Sequence, residues 1–139
     1  LLTINGLFAA DHAVIVTEPS AWAVDGVAQI LRNISRIAER RNGTPTLSGV
    51  VVNRLARTRD ARYWDEQLVE TYGPDVIRPA IALKAAVAEA SAQSLPITAV
   101  TRAGAAEAAA QFEAVLDRLV PAAPSLPEAS RDGVADAAL

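Results

Sequence analysis

Short β-branched runs alternate with helical repeats, and this pattern limits the possible folds of the chain more than any other feature. His12–Pro19 (HAVIVTEP) and Leu47–Asn53 (LSGVVVN) are runs of the kind that form buried strands. Apolar residues recur at helical spacing over about Ala21–Arg41 and again over Asp60–Tyr72. Asp75–Ile81 predicts a third strand. Strands separated by helices predict an α/β fold, a doubly wound parallel sheet with helices on both faces.

The remaining segments predict three helices and one weak strand. Leu1–Asp11 (LLTINGLFAAD) predicts a helix, and because no N-cap precedes it, we expect that the sequence was cut from a longer one. Leu83–Ala92 predicts a short helix, and Leu95–Val100 (LPITAV) predicts a weak fourth strand. Ala103–Val120 predicts an amphipathic helix.

Length and composition limit the kinds of site that the chain can hold. Its 139 residues suit a single domain, which we place at residues 1–120, followed by a Pro- and Ala-rich tail at residues 121–139 that we predict to be disordered. With no cysteine and one histidine, the sequence predicts no catalytic triad, no metal site and no disulfide. No apolar run reaches the roughly 18 residues of a membrane span, which favours a soluble cytoplasmic protein.

The net charge of −3 conceals a marked asymmetry along the chain. Residues 1–31 carry three acids and no base, and residues 63–139 carry eleven acids and five bases. Residues 32–62 carry eight bases and two acids. A basic segment in an acidic chain is typical of a local phosphate-binding face, and it is also typical of a solvated helix end followed by a loop.

The strand ends predict where a ligand would bind. In a doubly wound sheet, ligands bind beyond the carboxyl ends of the strands. Asn53 follows the second strand, Glu18-Pro19 follows the first, and Ile81–Lys84 follows the third. We therefore expect these residues to meet at one edge. Four arginines follow Asn53 within nine residues: Arg54, Arg57, Arg59 and Arg62.

Two tryptophans and an acidic helical segment have simpler interpretations. Trp22 and Trp64 each lie in the first turn of a predicted helix, where we expect them to pack as anchors, although Trp22 could also belong to a dimer or partner surface. Asp65, Glu66 and Glu70 are expected to form a solvated helical face.

Residues 1–120 resemble the C-terminal half of the ParA/Soj family of deviant-Walker P-loop ATPases. Three stretches carry the resemblance: LLTINGLFAADHAVIVTEPSAWAVDGVAQIL, LSGVVVNRLARTRDARYWDEQLVETYG and AIALKAAVAEASAQSLPITAV. The helix after Arg102-Ala103-Gly104 also matches in position. The resemblance implies a partial P-loop NTPase-like sheet, namely the C-terminal half of that fold.

The resemblance assigns a nucleotide-base site to four residues. Asn53 matches the strand-end Asn that contacts adenine in the family, and its amide can both donate and accept. The alternative is that Asn53 closes its strand by bonding local backbone. Ile81, Ala82 and Leu83 match the loop beside the base, with Ala82 in place of the family's proline.

The resemblance also assigns a DNA contact to basic residues. Arg57 matches an arginine that contacts DNA phosphate in the family's ATP-bound dimer, and Lys84 lies where relatives carry another basic residue. Arg54, Arg59 and Arg62 match more loosely.

The family's phosphate-binding loop has no match in this sequence, which contains no G-x-x-x-x-G-K-[ST] motif. Relatives bind ATP and Mg²⁺, so we expect those cofactors in the full-length parent, and we expect this chain alone neither to bind them tightly nor to hydrolyse ATP.

Three functions follow as hypotheses. The first is part of a cytoplasmic, nucleoid-associated ATPase that binds DNA non-specifically as an ATP-dependent homodimer and segregates chromosome or plasmid DNA with a ParB-like partner. The second is a non-enzymatic, truncated interaction module. The third is another member of the same superfamily, such as a MinD-like regulator or an amidotransferase-linked synthase. The acidic residues Glu107, Glu113 and Asp117 of the last helix disfavour the MinD-like version, because MinD-like proteins end in a basic membrane-binding helix.

Overall fold

The computed structural model describes residues 2–120, and the predicted tail at residues 121–139 lies outside the described part. In chain order the elements are α1 (Leu2–Ala9), β1 (His12–Thr17), α2 (Ala21–Arg40), β2 (Thr46–Val52), α3 (Arg59–Tyr72), β3 (Val76–Ile77), α4 (Ala85–Ala92) and α5 (Ala105–Leu119). Short 3₁₀ turns occupy Gly73–Asp75 and Ile97–Ala99.

The three described strands form one parallel sheet in the order β1-β2-β3. β1 and β2 pair along their whole lengths, whereas β3 contributes only Val76 and Ile77, opposite Val50 and Val51. Parallel strands need crossover connections, and here α2 and α3 supply them.

Gly49 lies where the pairing of β1 with β2 changes register, opposite Val14. Its φ is +154°, and a Cβ atom there would lie 2.4 Å from Cδ1 of Ile77. Glycine is the residue that adopts this φ without strain and leaves room for the Ile77 side chain.

One face of the sheet is covered by α2 and α3. Val50 and Val52 point to this face and are fully buried in a cluster with Val27 of α2 and Leu68 of α3. Burial of one aliphatic side chain of this size contributes about 1.5–3 kcal/mol, so this cluster is a main source of stability.

The opposite face is covered only in part. Val51 and Ile77 pack there against Val115 of α5, as strand alternation requires. On this face, the β1 side chains of Val14 and Val16 are 43% and 62% exposed. Helices therefore lie on both faces, which confirms the predicted fold class, and the β1 side of one face is open among the described residues.

Two helix boundaries agree with sequence signals. α3 begins after Thr58, whose hydroxyl accepts a hydrogen bond from the Ala61 N–H at 3.2 Å. α2 begins after Ser20 as predicted, although the Ser20 side chain makes no capping bond.

Three predictions about the fold were wrong. Leu95–Val100 is not a strand, because Pro96 begins a 3₁₀ turn that packs on α4 and α5 rather than on the sheet. Asp75–Ile81 is a strand over only two residues, because a 3₁₀ turn precedes it and Pro79, which lacks an N–H, follows. Trp22 does not pack as an anchor, since it is 84% exposed.

Asp65 is a further correction, because it is buried rather than solvated. Both of its carboxylate oxygens accept hydrogen bonds from the guanidinium of Arg78, at 2.9 and 3.0 Å. This pair fixes α3 against the segment that follows β3.

No helix within residues 2–120 is long and apolar enough to span a membrane.

Candidate functional site

The carboxyl edge of the sheet is shaped by a short excursion of the chain after β2. β2 ends at Val52, and Arg54 then adopts a left-handed conformation with φ of +57°. Leu55 returns to the sheet, where its N–H donates to the carbonyl of Ile81 and its carbonyl accepts from the N–H of Leu83, both at 2.9 Å. A left-handed non-glycine residue is uncommon and is often found at binding sites.

This excursion forms one wall of a cavity of about 270 Å³. Its volume is just below the 300–1,000 Å³ typical of small-molecule sites. The cavity is lined by Asn53, Arg54, Ile81, Ala82, Leu83, Lys84, Val87, Ala88, Ser91 and Phe112. The structure therefore brings together all four residues to which the sequence assigned a nucleotide base, with one wall from α4 and α5.

The side chain of Asn53 has one hydrogen bond within the described part of the chain. Its Oδ1 accepts from the N–H of Arg54 at 2.9 Å, which is the strand-closing role considered above. An amide oxygen has two acceptor positions, and the Nδ2 amide carries two donors. Strand closure and contact with a purine edge are therefore compatible.

Gln111 of α5 fixes the loop that lines the cavity. Its Oε1 accepts from the N–H of Ala82 at 2.9 Å. Sequence reasoning missed this residue, because it lies 29 positions away and no local pattern links it to Ala82.

Lys84 is held away from solvent by the first turn of α5. Its Nζ lies 2.5 Å from Oε2 of Glu107, and its side chain is only 13% exposed. The hydrogen bond from Lys84, together with the positive charges of Lys84 and Arg57, holds the pKa of the exposed Glu107 carboxyl below its ordinary value. Gly104 lies alongside with φ of +88°, and a Cβ there would come within 3.3 Å of Lys84 Cδ.

The predicted arginines divide into two groups. Arg54 pairs with Glu18 at 2.9 Å across the ends of β2 and β1, with both side chains more than half exposed. Arg57, Arg59 and Arg62 are exposed and have no carboxylate partner within residues 2–120. Arg62 donates a hydrogen bond to the Arg57 carbonyl at 3.3 Å, so these two residues are neighbours. Of these three arginines, Arg57 lies next to Leu83 and Lys84 of the cavity wall, and we call the three the edge arginines.

The described residues fit a nucleotide base but not a triphosphate with its metal. The cavity offers apolar walls and an amide, which suit a purine ring. Residues 2–120 contain no group of three or more acidic or histidine side chains that could hold a metal ion, and the sequence has no phosphate-binding loop.

Comparison with protein-family models gives no match. Among curated sequences, the uncharacterized protein Rv1708 of Mycobacterium tuberculosis is 31% identical over 99 residues, which cover 70% of this chain and 31% of the relative. An uncharacterized protein of Pseudomonas putida is 30% identical over 103 residues, which cover 71% of this chain and 38% of the relative. The chromosome-partitioning ATPase Soj of Treponema pallidum is 26% identical over 99 residues, which cover 70% of this chain and 39% of Soj.

Solved structures show the same fold. The ATP complex of Cyanothece McdA matches with a TM-score of 0.69 at 19% identity, covering 81% of this chain and 44% of McdA. Apo McdA matches with the same TM-score and identity, covering 82% of this chain and 46% of McdA. The chain thus spans less than half the length of each of these relatives.

Proposed function

We propose that this chain, a relative of the ParA/Soj-type ATPases, is part of an ATPase that segregates chromosome or plasmid DNA. In that ATPase it would form the part that binds adenine and contacts DNA. In this proposal ATP joins two copies into a dimer, the dimer binds DNA non-specifically in the cytoplasm at the nucleoid, and a ParB-like protein is the partner.

The cavity at the carboxyl edge is the observation that supports this function best. It lies where nucleotides bind in doubly wound sheets, and it is lined by Asn53 and by the segment Ile81–Lys84. The amide of Asn53 would read the base edge, and Ile81 and Leu83 would flank the ring. Binding at this cavity supplies orientation of the nucleotide and no chemistry of its own.

The edge arginines support the proposed DNA contact. They are exposed in a chain whose net charge is −3, and Arg57 lies next to Leu83 and Lys84 of the cavity wall. Guanidinium groups without interleaved aromatics suit phosphate contacts, which bind DNA without reading its sequence. Bound nucleotide next to this surface would couple ATP to DNA binding.

The triphosphate and Mg²⁺ need residues from another polypeptide segment, which we place on the open side of β1. Val14 and Val16 are exposed on that side, and β1 has no strand neighbour there within residues 2–120. A further parallel strand with its helix would cover both valines.

A second candidate function is a non-enzymatic interaction module. Trp22, at 84% exposure on the first turn of α2, favours it, because exposed tryptophans commonly serve as energetic centres of protein interfaces.

Titration of duplex DNA with the intact protein separates the two functions. The ATPase proposal predicts tighter DNA binding with ATP than with ADP or without nucleotide. Equal affinity under all three conditions would contradict it and favour the interaction module.

A further inference from the structure

The fold divides the basic segment of the sequence into two separate surfaces. α2 begins at the carboxyl edge, after Ser20, and ends at Arg40, beside the start of β2. At 1.5 Å per residue its 20 residues span about 30 Å. The arginines of its second half therefore lie away from the edge arginines, although both groups come from residues 32–62.

Three of these arginines form a stripe along α2. Arg32, Arg36 and Arg40 recur every fourth residue, so they lie on one side of the helix. All three are exposed, and none has a carboxylate partner within residues 2–120. Polar Gln29 and Asn33 lie beside them, and Glu39 lies next to Arg36 and Arg40 without an ion pair to either. We call these three residues the α2 stripe.

Arg41, the residue that follows the last turn of α2, has a structural role that the stripe arginines lack. Its guanidinium donates to the carbonyl of Ala10 at 2.5 Å and lies 3.8 Å from the carboxylate of Asp11. It thereby fixes the end of α1 against α2. The stripe arginines make no comparable side-chain bonds in the described part of the chain, so local structure does not account for them.

The stripe matches the charge spacing of duplex DNA. Arg32 and Arg40 are eight residues apart, which is about 12 Å along the helix axis. Over that length one DNA strand presents about three to four phosphates. The planar guanidinium can bond a phosphate with two N–H groups at once, which favours phosphate over a generic negative surface.

The apolar side of α2 excludes insertion into a lipid surface. Ala23, Val27, Ile34 and Ile37 are buried against the sheet and α1, so the helix has no free apolar face. Membrane-surface helices need such a face in addition to basic residues.

We propose that the α2 stripe is a second phosphate-contacting surface, which binds the backbone of duplex DNA without nucleotide. This surface rests on the proposed function and deepens it, because it adds a nucleotide-independent contact to the ATP-dependent contact at the carboxyl edge. The stripe lies on one rigid helix of a single chain, so it requires neither the cavity nor a dimer.

The test compares two charge-matched triple variants of the intact protein. One is Arg32→Gln/Arg36→Gln/Arg40→Gln, and the other replaces the edge arginines, Arg57→Gln/Arg59→Gln/Arg62→Gln. Each removes three positive charges from exposed positions, and far-ultraviolet circular dichroism checks that both fold. Binding to a fluorescent 30-base-pair duplex is titrated at several salt concentrations, with and without ATP.

Without nucleotide, the α2 variant should bind at least about tenfold more weakly than the wild type at low salt, and its salt slope should be smaller by about 2.7, which corresponds to three phosphate contacts. With the same loss of three charges, the edge variant should lose the increase in DNA affinity caused by ATP. If the α2 variant binds DNA without nucleotide as tightly as the wild type does, the proposed role of the α2 stripe is overturned, whatever the effect of ATP. The proposal would also be overturned if the α2 variant lost binding to phosphatidylserine vesicles but kept its binding to DNA. An ATP effect that survives in the edge variant would instead contradict the proposed role of the edge arginines and leave the stripe intact.

Discussion

Lys84 and Glu107 form an ion pair, Nζ to Oε2 at 2.5 Å, that ties the cavity-lining segment to the first turn of α5. The sequence assigned Lys84 to DNA, and that role stays a prediction. In the structure its ammonium is mostly buried and already bound. A DNA contact by Lys84 would require this pair to open.

The ion pair predicts how Glu107 titrates. Because the pKa of Glu107 is lowered in the folded protein, the pair stabilises the fold above the carboxyl's ordinary pKa of 4.5 and ceases to do so as the pH falls through the lowered pKa. In Lys84→Gln the pKa of Glu107 should rise toward its ordinary value. Nuclear magnetic resonance titration of the Glu107 carboxyl measures this, with Arg102→Gln as the control that leaves it unchanged. Identical titrations in all three proteins would show that Lys84 does not hold the carboxylate.

Two glycines should respond to alanine with opposite signs. Gly49→Ala places a Cβ 2.4 Å from Ile77 at φ of +154°, and we expect a loss of about 3 kcal/mol in the free energy of unfolding. Gly26 lies inside α2 with open space around it, so Gly26→Ala should stabilise by about 1 kcal/mol. Urea denaturation measures both. A neutral Gly49→Ala would mean that the backbone and the Ile77 side chain accommodate the added Cβ atom at no cost.

The buried ion pair of Asp65 should matter more than an exposed one. Arg78→Ala leaves a buried carboxylate without its two donors, and we expect a cost of about 2 kcal/mol, since Arg78 itself is partly exposed. Arg102→Ala removes the more exposed pair with Glu89 and should cost less than about 1 kcal/mol. Similar urea midpoints for the two variants would contradict this ranking.

Periodicity correctly predicted the helices and strands whose formation is determined by their local pattern of apolar residues. α2 and β2 were placed within about one residue because their apolar faces repeat regularly. The prediction for Leu95–Val100 was wrong because its composition favours a strand, whereas Pro96 begins a 3₁₀ turn that packs on α4 and α5. The prediction for Asp65 was wrong because its burial depends on hydrogen bonds from Arg78, and only the tertiary structure brings the two residues together.

The strand ends predicted which residues of the carboxyl edge would lie together, but they did not predict the residues of α5 that contact this edge. The rule that ligands bind beyond the carboxyl ends placed Asn53 and Ile81–Lys84 together, and they line one cavity. Gln111 and Glu107 come from a helix much later in the chain, and their partners are set by packing.

Asn53→Ala should weaken adenine-nucleotide binding by the intact protein by about 1 kcal/mol, the contribution of one hydrogen bond to the base. Loss of the bond to the Arg54 N–H should cost some stability as well, so urea denaturation accompanies the measurement. Calorimetric titration with ATP and GTP separates the effects, because a base contact changes the preference between them. If the wild type binds ATP and GTP with equal affinity, and Asn53→Ala leaves both affinities unchanged, Asn53 does not read the base.

The central claim, that an ATP-dependent DNA contact lies beside the cavity, is tested most directly by Arg57→Gln in the intact protein. Arg57 is exposed, lacks an ion pair within residues 2–120, and adjoins Lys84 and Glu107. We predict weaker DNA binding in the presence of ATP, a salt slope smaller by about 0.9 for each contact removed, and unchanged affinity for ATP. Arg118→Gln, an equal charge change on α5, should leave DNA binding as it is. If the DNA affinity and salt slope of Arg57→Gln match those of the wild type, the arginine only solvates its loop, and the account of this site is contradicted.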